Sequence, residues 1–166
     1  MAVINPFNLS IPDAESHSRL FLRDSELGFG IATIFEVAAK LKAICESDDE
    51  NSKYNWADIR TLIAIHARND TVLNLASRLA MTKQALNKIL RKLIAEDLVI
   101  ITTDRRDKRR KILQLSVNGT NELARITTPM RDIIARAYRN AGADAVYGSD
   151  QVLWAILGES HIAKNI

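Results

Sequence analysis

The side chains best suited to chemistry in this sequence are cations and amides, and they are gathered in one stretch. From Lys83 to Lys111 there are ten Lys or Arg against four Asp or Glu, a net of +6, while the whole 166-residue chain carries only +3. The remainder therefore sums to −3. Charge concentrated in this way suits a polyanion more than it suits general solubility. Within the stretch, Lys83, Gln84, Asn87, Lys88 and Arg91 recur at helical spacing, so a helix would carry them on one face. Amides such as Gln84 and Asn87 can pair bidentately with adenine, and Lys88 and Arg91 can read guanine or hold phosphates. Lys83, at the start of the helix, is better placed for the phosphate backbone. The second cluster is DRRDKRR, Asp104 to Arg110, where Arg105, Arg106, Lys108, Arg109, Arg110 and the following Lys111 stand close together. Such a run is too polar to fold inward and fits a hairpin tip. The plainer alternative for both clusters is a solvated charged surface.

The apolar residues around these groups define what must hold them. Leu75, Ala76 and Leu79 mark one side of a short helix, Met81 crosses a turn, and Leu86, Ile89, Leu90 and Leu93 mark the inner side of a second helix. Thr82 is placed to cap that second helix through its hydroxyl. The two form a helix-turn-helix. Leu98 to Thr102 and Lys111 to Ser116 have strand composition and would form a hairpin with the basic cluster at its tip. A preceding helix, Asn55 to Ala67, carries Trp56, Ile59, Leu62, Ile63 and His66 and should pack across the pair as the third member of a small core.

LASRLAMTKQALNKILRKLIAEDLVI followed by DKRRKILQLSVNG resembles the winged helix-turn-helix of the MarR family of bacterial transcriptional regulators. The wing carries the most specific match: Asp107 and Arg109 in D-x-R, then Ile112, Leu113, Leu115, Ser116 and Gly119. The likeness is close over roughly residues 54 to 120 and looser in the flanking helices. Two positions depart from the family pattern. Ala80 stands where a turn glycine is usual, and Asp97 where a glycine usually precedes the first wing strand. Aspartate tolerates a left-handed backbone better than alanine does.

The resemblance implies a mainly α fold (α+β winged helix), with N- and C-terminal helices forming a dimerisation region. It divides the chain into an N-terminal arm, 1–24, dimerisation helices, 25–53 plus 117–166, and a winged lobe, 54–116. It implies a homodimeric regulator of transcription that binds a pseudo-palindrome in double-stranded DNA. The recognition helix, Thr82 to Glu96, would enter the major groove and the wing, Asp104 to Lys111, the minor groove. In the family the aspartate of D-x-R orients the arginine that enters the minor groove, here Asp107 and Arg109. Arg105, Arg106, Lys108, Arg110 and Lys111 would then flank it as phosphate contacts. The resemblance also implies a small aromatic effector and no cofactor. Trp56, Phe35, Tyr54, Tyr138 and His66 are available to line an effector site, but each suits core packing better, and no site is assigned. A winged helix that docks a protein without specific DNA binding is the competing expectation, since fold alone does not fix function.

The rest of the chain narrows the classes. Its length fits one ordinary domain, and 47% apolar residues exclude wholesale disorder. A single cysteine, Cys45, excludes an internal disulfide framework and sits on an apolar stripe where packing explains it. No apolar run is long enough to span a bilayer, so the expectation is a cytoplasmic protein with no membrane partner. His17, His66 and His161 are scattered and suggest no metal site, and no catalytic motif is present, so no enzyme activity is expected. Pro6 and Pro12 suggest an extended arm anchored by Leu9, Ile11, Leu20, Phe21 and Leu22. Leu27, Ile31, Ile34, Phe35, Ala38, Leu41 and Cys45 predict an amphipathic helix from Ser25 to Glu46. A polar loop, Ser47 to Lys53, follows it. Beyond the wing, Ser116 should cap a helix to Ala141 with a bend or break near Thr128, imposed by Pro129. Gly142 should end it and Asp144 cap a last helix bearing Val146, Leu153, Ile156 and Leu157. The outer helices need burial for their apolar faces, either against a second chain or on a compact monomer.

Overall fold

A computed structural model describes residues 24–46, 53–104 and 107–158. The expected arm, apart from Asp24, lies outside the described residues, as do the loop residues 47–52 and the wing residues Arg105 and Arg106. The elements run α1 (Asp24–Glu46), α2 (Trp56–Ala67), α3 (Val72–Arg78), α4 (Lys83–Ala95), β1 (Val99–Thr103), β2 (Lys111–Leu115), α5 (Val117–Ala141) and α6 (Ala143–Ile156). This is the expected mainly helical winged-helix fold with one small antiparallel sheet.

The chain separates into two compact units, Met1–Ala43 and Ile44–Ile166. The described part of the first is most of α1, whose Leu27, Ile31, Ile34, Phe35 and Val37 are all exposed. In the second, α2 begins with a capping box: the Asn55 side chain accepts from the Asp58 N–H, and the Asp58 carboxylate accepts from the Asn55 N–H. Ile59, Leu62 and Ile65 of α2 are buried with Leu75 of α3, Leu86 and Leu93 of α4, Leu113 of β2 and Ile126 of α5. Each such side chain contributes about 2 kcal/mol by leaving water. His66, by contrast, is exposed at the end of α2.

The hairpin pairs Val99 with Leu115 and Thr103 with Lys111. A single bridge from Asp70 to Leu113 adds a third edge, with the Leu113 N–H donating to the Asp70 carbonyl at 2.9 Å. The strands differ from expectation by one residue at three ends, β1 running one residue further, to Thr103. Leu98 is used to close the end of α4, so β1 starts at Val99. Ser116 is used to cap α5, so β2 stops at Leu115.

At Thr128 the helix does not break: α5 runs through Pro129 to Ala141. The hydroxyls of Thr127 and Thr128 donate to the carbonyls of Leu123 and Ala124, both at 2.8 Å. They add second donors to the carbonyls just before that of Arg125, the one whose helical donor the proline removes. Asp144 is not the cap of α6. Gly142, at φ +82, closes α5 and opens α6 at once, which leaves Asp144 in the first turn facing the helix dipole. No residue of α6 is buried, and Leu153, Ile156 and Leu157 stand exposed.

Candidate nucleic-acid interface

The recognition helix is set at both ends by backbone devices that the local sequence supplies. At its start, Thr82 is the N-cap and its hydroxyl accepts from the Ala85 N–H at 3.1 Å. Just before it, α3 ends in a Schellman motif: Met81 N–H reaches the Ala76 carbonyl at 2.9 Å and Ala80 N–H the Ser77 carbonyl at 3.1 Å. The same motif ends α4, from Leu98 N–H to the Leu93 carbonyl at 2.9 Å and from Asp97 N–H to the Ile94 carbonyl at 3.0 Å. The residue that must turn left-handed in each is Ala80, at φ +50, and Asp97, at φ +54. These are the two positions where the family pattern has glycine. The turns therefore keep their geometry without it, at a steric cost of about 1–2 kcal/mol for alanine.

With both ends set, Leu86, Leu90 and Leu93 point inward and are buried, while Lys83, Gln84, Lys88 and Arg91 are exposed and Asn87 is half-buried. The exposed set lies on the face opposite the core. Lys92, which belongs to the same charge run, is spent elsewhere. Its ammonium lies 2.6 Å from the Asp58 carboxylate and 2.8 Å from the Lys53 carbonyl. It also sits 5.3 Å from the centroid of the buried Tyr54 ring. Lys53 approaches the same ring at 5.3 Å and the Glu96 carboxylate at 3.2 Å. Burial, aided by Glu96, pushes the Tyr54 phenol above its ordinary range, and the bond to Glu96 raises the Lys53 ammonium.

Near the wing tip two backbone hydrogen bonds hold the described residues together. Asp104 N–H donates to the Arg110 carbonyl and Arg110 N–H to the Asp107 carbonyl, both at 2.9 Å. The Asp107 carboxylate accepts from the Arg109 backbone N–H at 2.9 Å, an Asx turn. Asp107 thus bonds the main chain of Arg109. Arg110 has its guanidinium 3.9 Å from the Asp104 carboxylate, and Lys111 donates to the Thr103 hydroxyl at 3.1 Å. Asp107, Lys108, Arg109 and Arg110 are all exposed, while Arg105 and Arg106 lie outside the described residues.

Behind the wing, Gly119 is required by contact. A Cβ there would lie 1.9 Å from the Leu98 carbonyl oxygen, because Ser116 draws the first turn of α5 onto the residue just before β1. Ser116 caps α5 through the Gly119 N–H at 2.8 Å, and its own N–H donates to the Leu98 carbonyl at 3.0 Å.

Several structural side chains were not singled out from the sequence: Asp58, Asp70, Arg60, Arg78 and Lys92. Asp70 and Asp58 are buried. Asp70 accepts from the Asn74 amide at 2.7 Å and lies 3.6 Å from Arg78. The Asn55-x-x-Asp58 spacing was a legible capping signal for one of them; the others are joined only by the fold. Cys45 is 1% exposed, its thiol 3.4 Å from the Met130 sulfur, and burial raises its pKa. Of the aromatic residues available for an effector, Tyr54 is buried, Trp56 half-buried, and Phe35 and Tyr138 exposed. Among the described residues no group of three or more His, Cys, Asp or Glu could hold a metal ion.

Comparison with known proteins agrees with this geometry. The sequence profile of the MarR family matches residues 53–110. The HTH-type transcriptional regulator PetP of Rhodobacter capsulatus is 36% identical over 139 residues, covering 83% of this chain and 84% of that protein. In fold the chain is similar to the Multiple Antibiotic Resistance Repressor MarR, with a TM-score of 0.57 and 19% identity over 83% of this chain and 97% of that one. It is also similar to a mutant MarR from E. coli complexed with operator DNA, with a TM-score of 0.54 and 20% identity over 83% and 99% of the two chains. A capped helix with an open polar face, a hairpin wing and a matching relative along most of its length lead to one assignment: the chain belongs to the MarR family of winged helix-turn-helix transcriptional regulators.

Proposed function

We propose that the protein binds double-stranded DNA as a homodimer, reading a pseudo-palindromic site with α4 in the major groove and the wing in the minor groove. The observation that carries this is the open face of α4, where Lys83, Gln84, Lys88 and Arg91 remain exposed on a helix capped at both ends. The amide of Gln84, with that of the half-buried Asn87, suits adenine edges, and the cations suit guanine or phosphate. At the wing, Arg109 is the minor-groove side chain, and Lys108, Arg110 and Lys111 lie along the backbone with Arg105 and Arg106. Thr82 and Asp107 act by shaping the chain beside these contacts. That a family structure was obtained with operator DNA supports the same assignment.

The division of labour follows: 54–116 is the DNA-binding lobe, and 25–53 with 117–166 the dimerisation region. The exposed Leu27, Ile31 and Phe35 of α1 and Leu153 and Ile156 of α6 support a second chain as their cover. Control by a small aromatic effector and a cytoplasmic location belong to the same proposal. No helix among the described residues is long and apolar enough to cross a membrane.

A gel shift with the protein's own upstream DNA at two salt concentrations tests the proposal, with footprinting of the retained fragment. Binding that weakens with salt and protects two half-sites about one helical turn apart is expected. A single asymmetric half-site would remove the dimer from the proposal. No binding to any duplex at low salt would favour a protein-docking winged helix.

A further inference from the structure

Two arginines in the DNA-binding lobe reach between helices, each donated by one helix to a carbonyl of the other. Arg60 of α2 donates from Nη2 to the Leu79 carbonyl at 2.7 Å, and Arg78 of α3 donates from Nη2 to the Ala64 carbonyl at 3.2 Å. The first of these falls on the turn that sets α4. Leu79 is the C-cap of α3, so its carbonyl is among those the helix leaves without an internal partner. The next residue is Ala80 at φ +50, then Met81, then the cap Thr82. A glycine would adopt that backbone freely; alanine must be held in it.

Arg60 is well placed to do the holding. Its neighbours on α2, Ile59 and Leu62, are completely buried, so the helix that carries it is fixed by the core. A guanidinium at a helix C-terminus also meets the negative end of the peptide dipoles, and a charge-assisted bond to a carbonyl is stronger than a neutral one. We propose that Arg60 is a positioning residue for DNA recognition: it clamps the turn between α3 and α4 and thereby sets the approach of the recognition helix, without touching phosphate. The inference rests on α4 being the DNA-reading helix.

A phosphate contact and a clamp leave different signatures. Each phosphate contact releases counterions and steepens the salt dependence on every sequence, whereas a misplaced helix loses base contacts on the preferred sequence only. The test uses full-length protein, a duplex that the wild type selects from a random pool, and poly(dI-dC) as the non-preferred probe. Arg60→Met, which keeps an apolar stem, should weaken binding to the selected duplex roughly tenfold. Affinity for poly(dI-dC) and the slope of log K against log salt should stay at wild-type values. Arg60→Lys, whose ammonium can still donate to the Leu79 carbonyl, should recover most of the loss. Should Arg60→Met melt below the assay temperature, Arg60→Lys carries the comparison, with a smaller loss on the selected duplex and the same unchanged slope. A slope shallower by about one counterion, an equal loss on both probes, or wild-type affinity in Arg60→Met each overturns the clamp. Failure of the wild type to retain any duplex is a separate outcome: it overturns the DNA reading itself, and the clamp with it.

Discussion

The ammonium of Lys92 lies 2.6 Å from the carboxylate of Asp58, and that same carboxylate closes the capping box at the start of α2. One acidic group thus fixes the start of a core helix and the later turns of the recognition helix together. Its side chain is 2% exposed against 38% for Lys92, so the pair is dry on one side and wet on the other. Removing the lysine would leave a buried carboxylate short of a partner, which costs more than an exposed pair contributes.

Lys92→Met should therefore lower stability by about 1–2 kcal/mol, discounted for the solvent around the ammonium. Asp58→Ala should cost more, because it also removes the capping box. Urea unfolding measures both. If neither variant moves the midpoint, the ion pair does not hold α4 to α2.

Arg109→Ala makes the contrasting case. Stability should be unchanged, since its side chain is exposed, while DNA affinity falls and the salt slope flattens by about one counterion. Titrations at three salt concentrations check this. A slope unaltered in Arg109→Ala would deny the wing its phosphate or groove contact.

Replacing Gly119 by alanine should destabilise the protein by about 2–4 kcal/mol, because a Cβ cannot share space with the Leu98 carbonyl and backbone must move. Thermal melting reads the loss. A neutral substitution would mean that α5 can draw back from β1 freely.

Glycine should be welcome at Ala80. Relief of the left-handed strain exceeds the added entropy of the unfolded chain, so Ala80→Gly should stabilise by about 1 kcal/mol and raise the melting temperature by about 3 °C. Asp97→Gly should gain less, since aspartate tolerates that region. A lower melting temperature in Ala80→Gly would show that the turn carries no such strain.

Alkaline titration tests the burial of Tyr54. Its phenol is raised above the ordinary value of 10.0, chiefly by burial and then by the bond to Glu96. The folded state holds this proton more tightly than the unfolded chain does. Its contribution to stability is therefore complete below about pH 10 and is lost as pH rises towards the folded pKa. Tyrosinate absorbance should show a late phenol that is absent in Tyr54→Phe. A late phenol that survives in Tyr54→Phe would contradict the assignment.

The helix-turn-helix, the Thr82 cap, the hairpin and the family were all legible in the sequence. They depend on local quantities: the spacing of Leu86, Leu90 and Leu93, a hydroxyl beside a helix start, and charge too dense to bury. Tertiary structure decided what became of individual cations. Arg91 and Lys92 are adjacent and alike in charge, yet one helical step of about 100° leaves the first in solvent and turns the second onto Asp58, far away in sequence. The same holds for Arg60, whose acceptor is the carbonyl of a residue on another helix. The end of α5 at Gly142 was legible as well, but not that the same glycine would open α6 and leave Asp144 inside its first turn. Local sequence chooses elements because their hydrogen bonds are local, while the partner of a long side chain depends on which elements packing brings beside it.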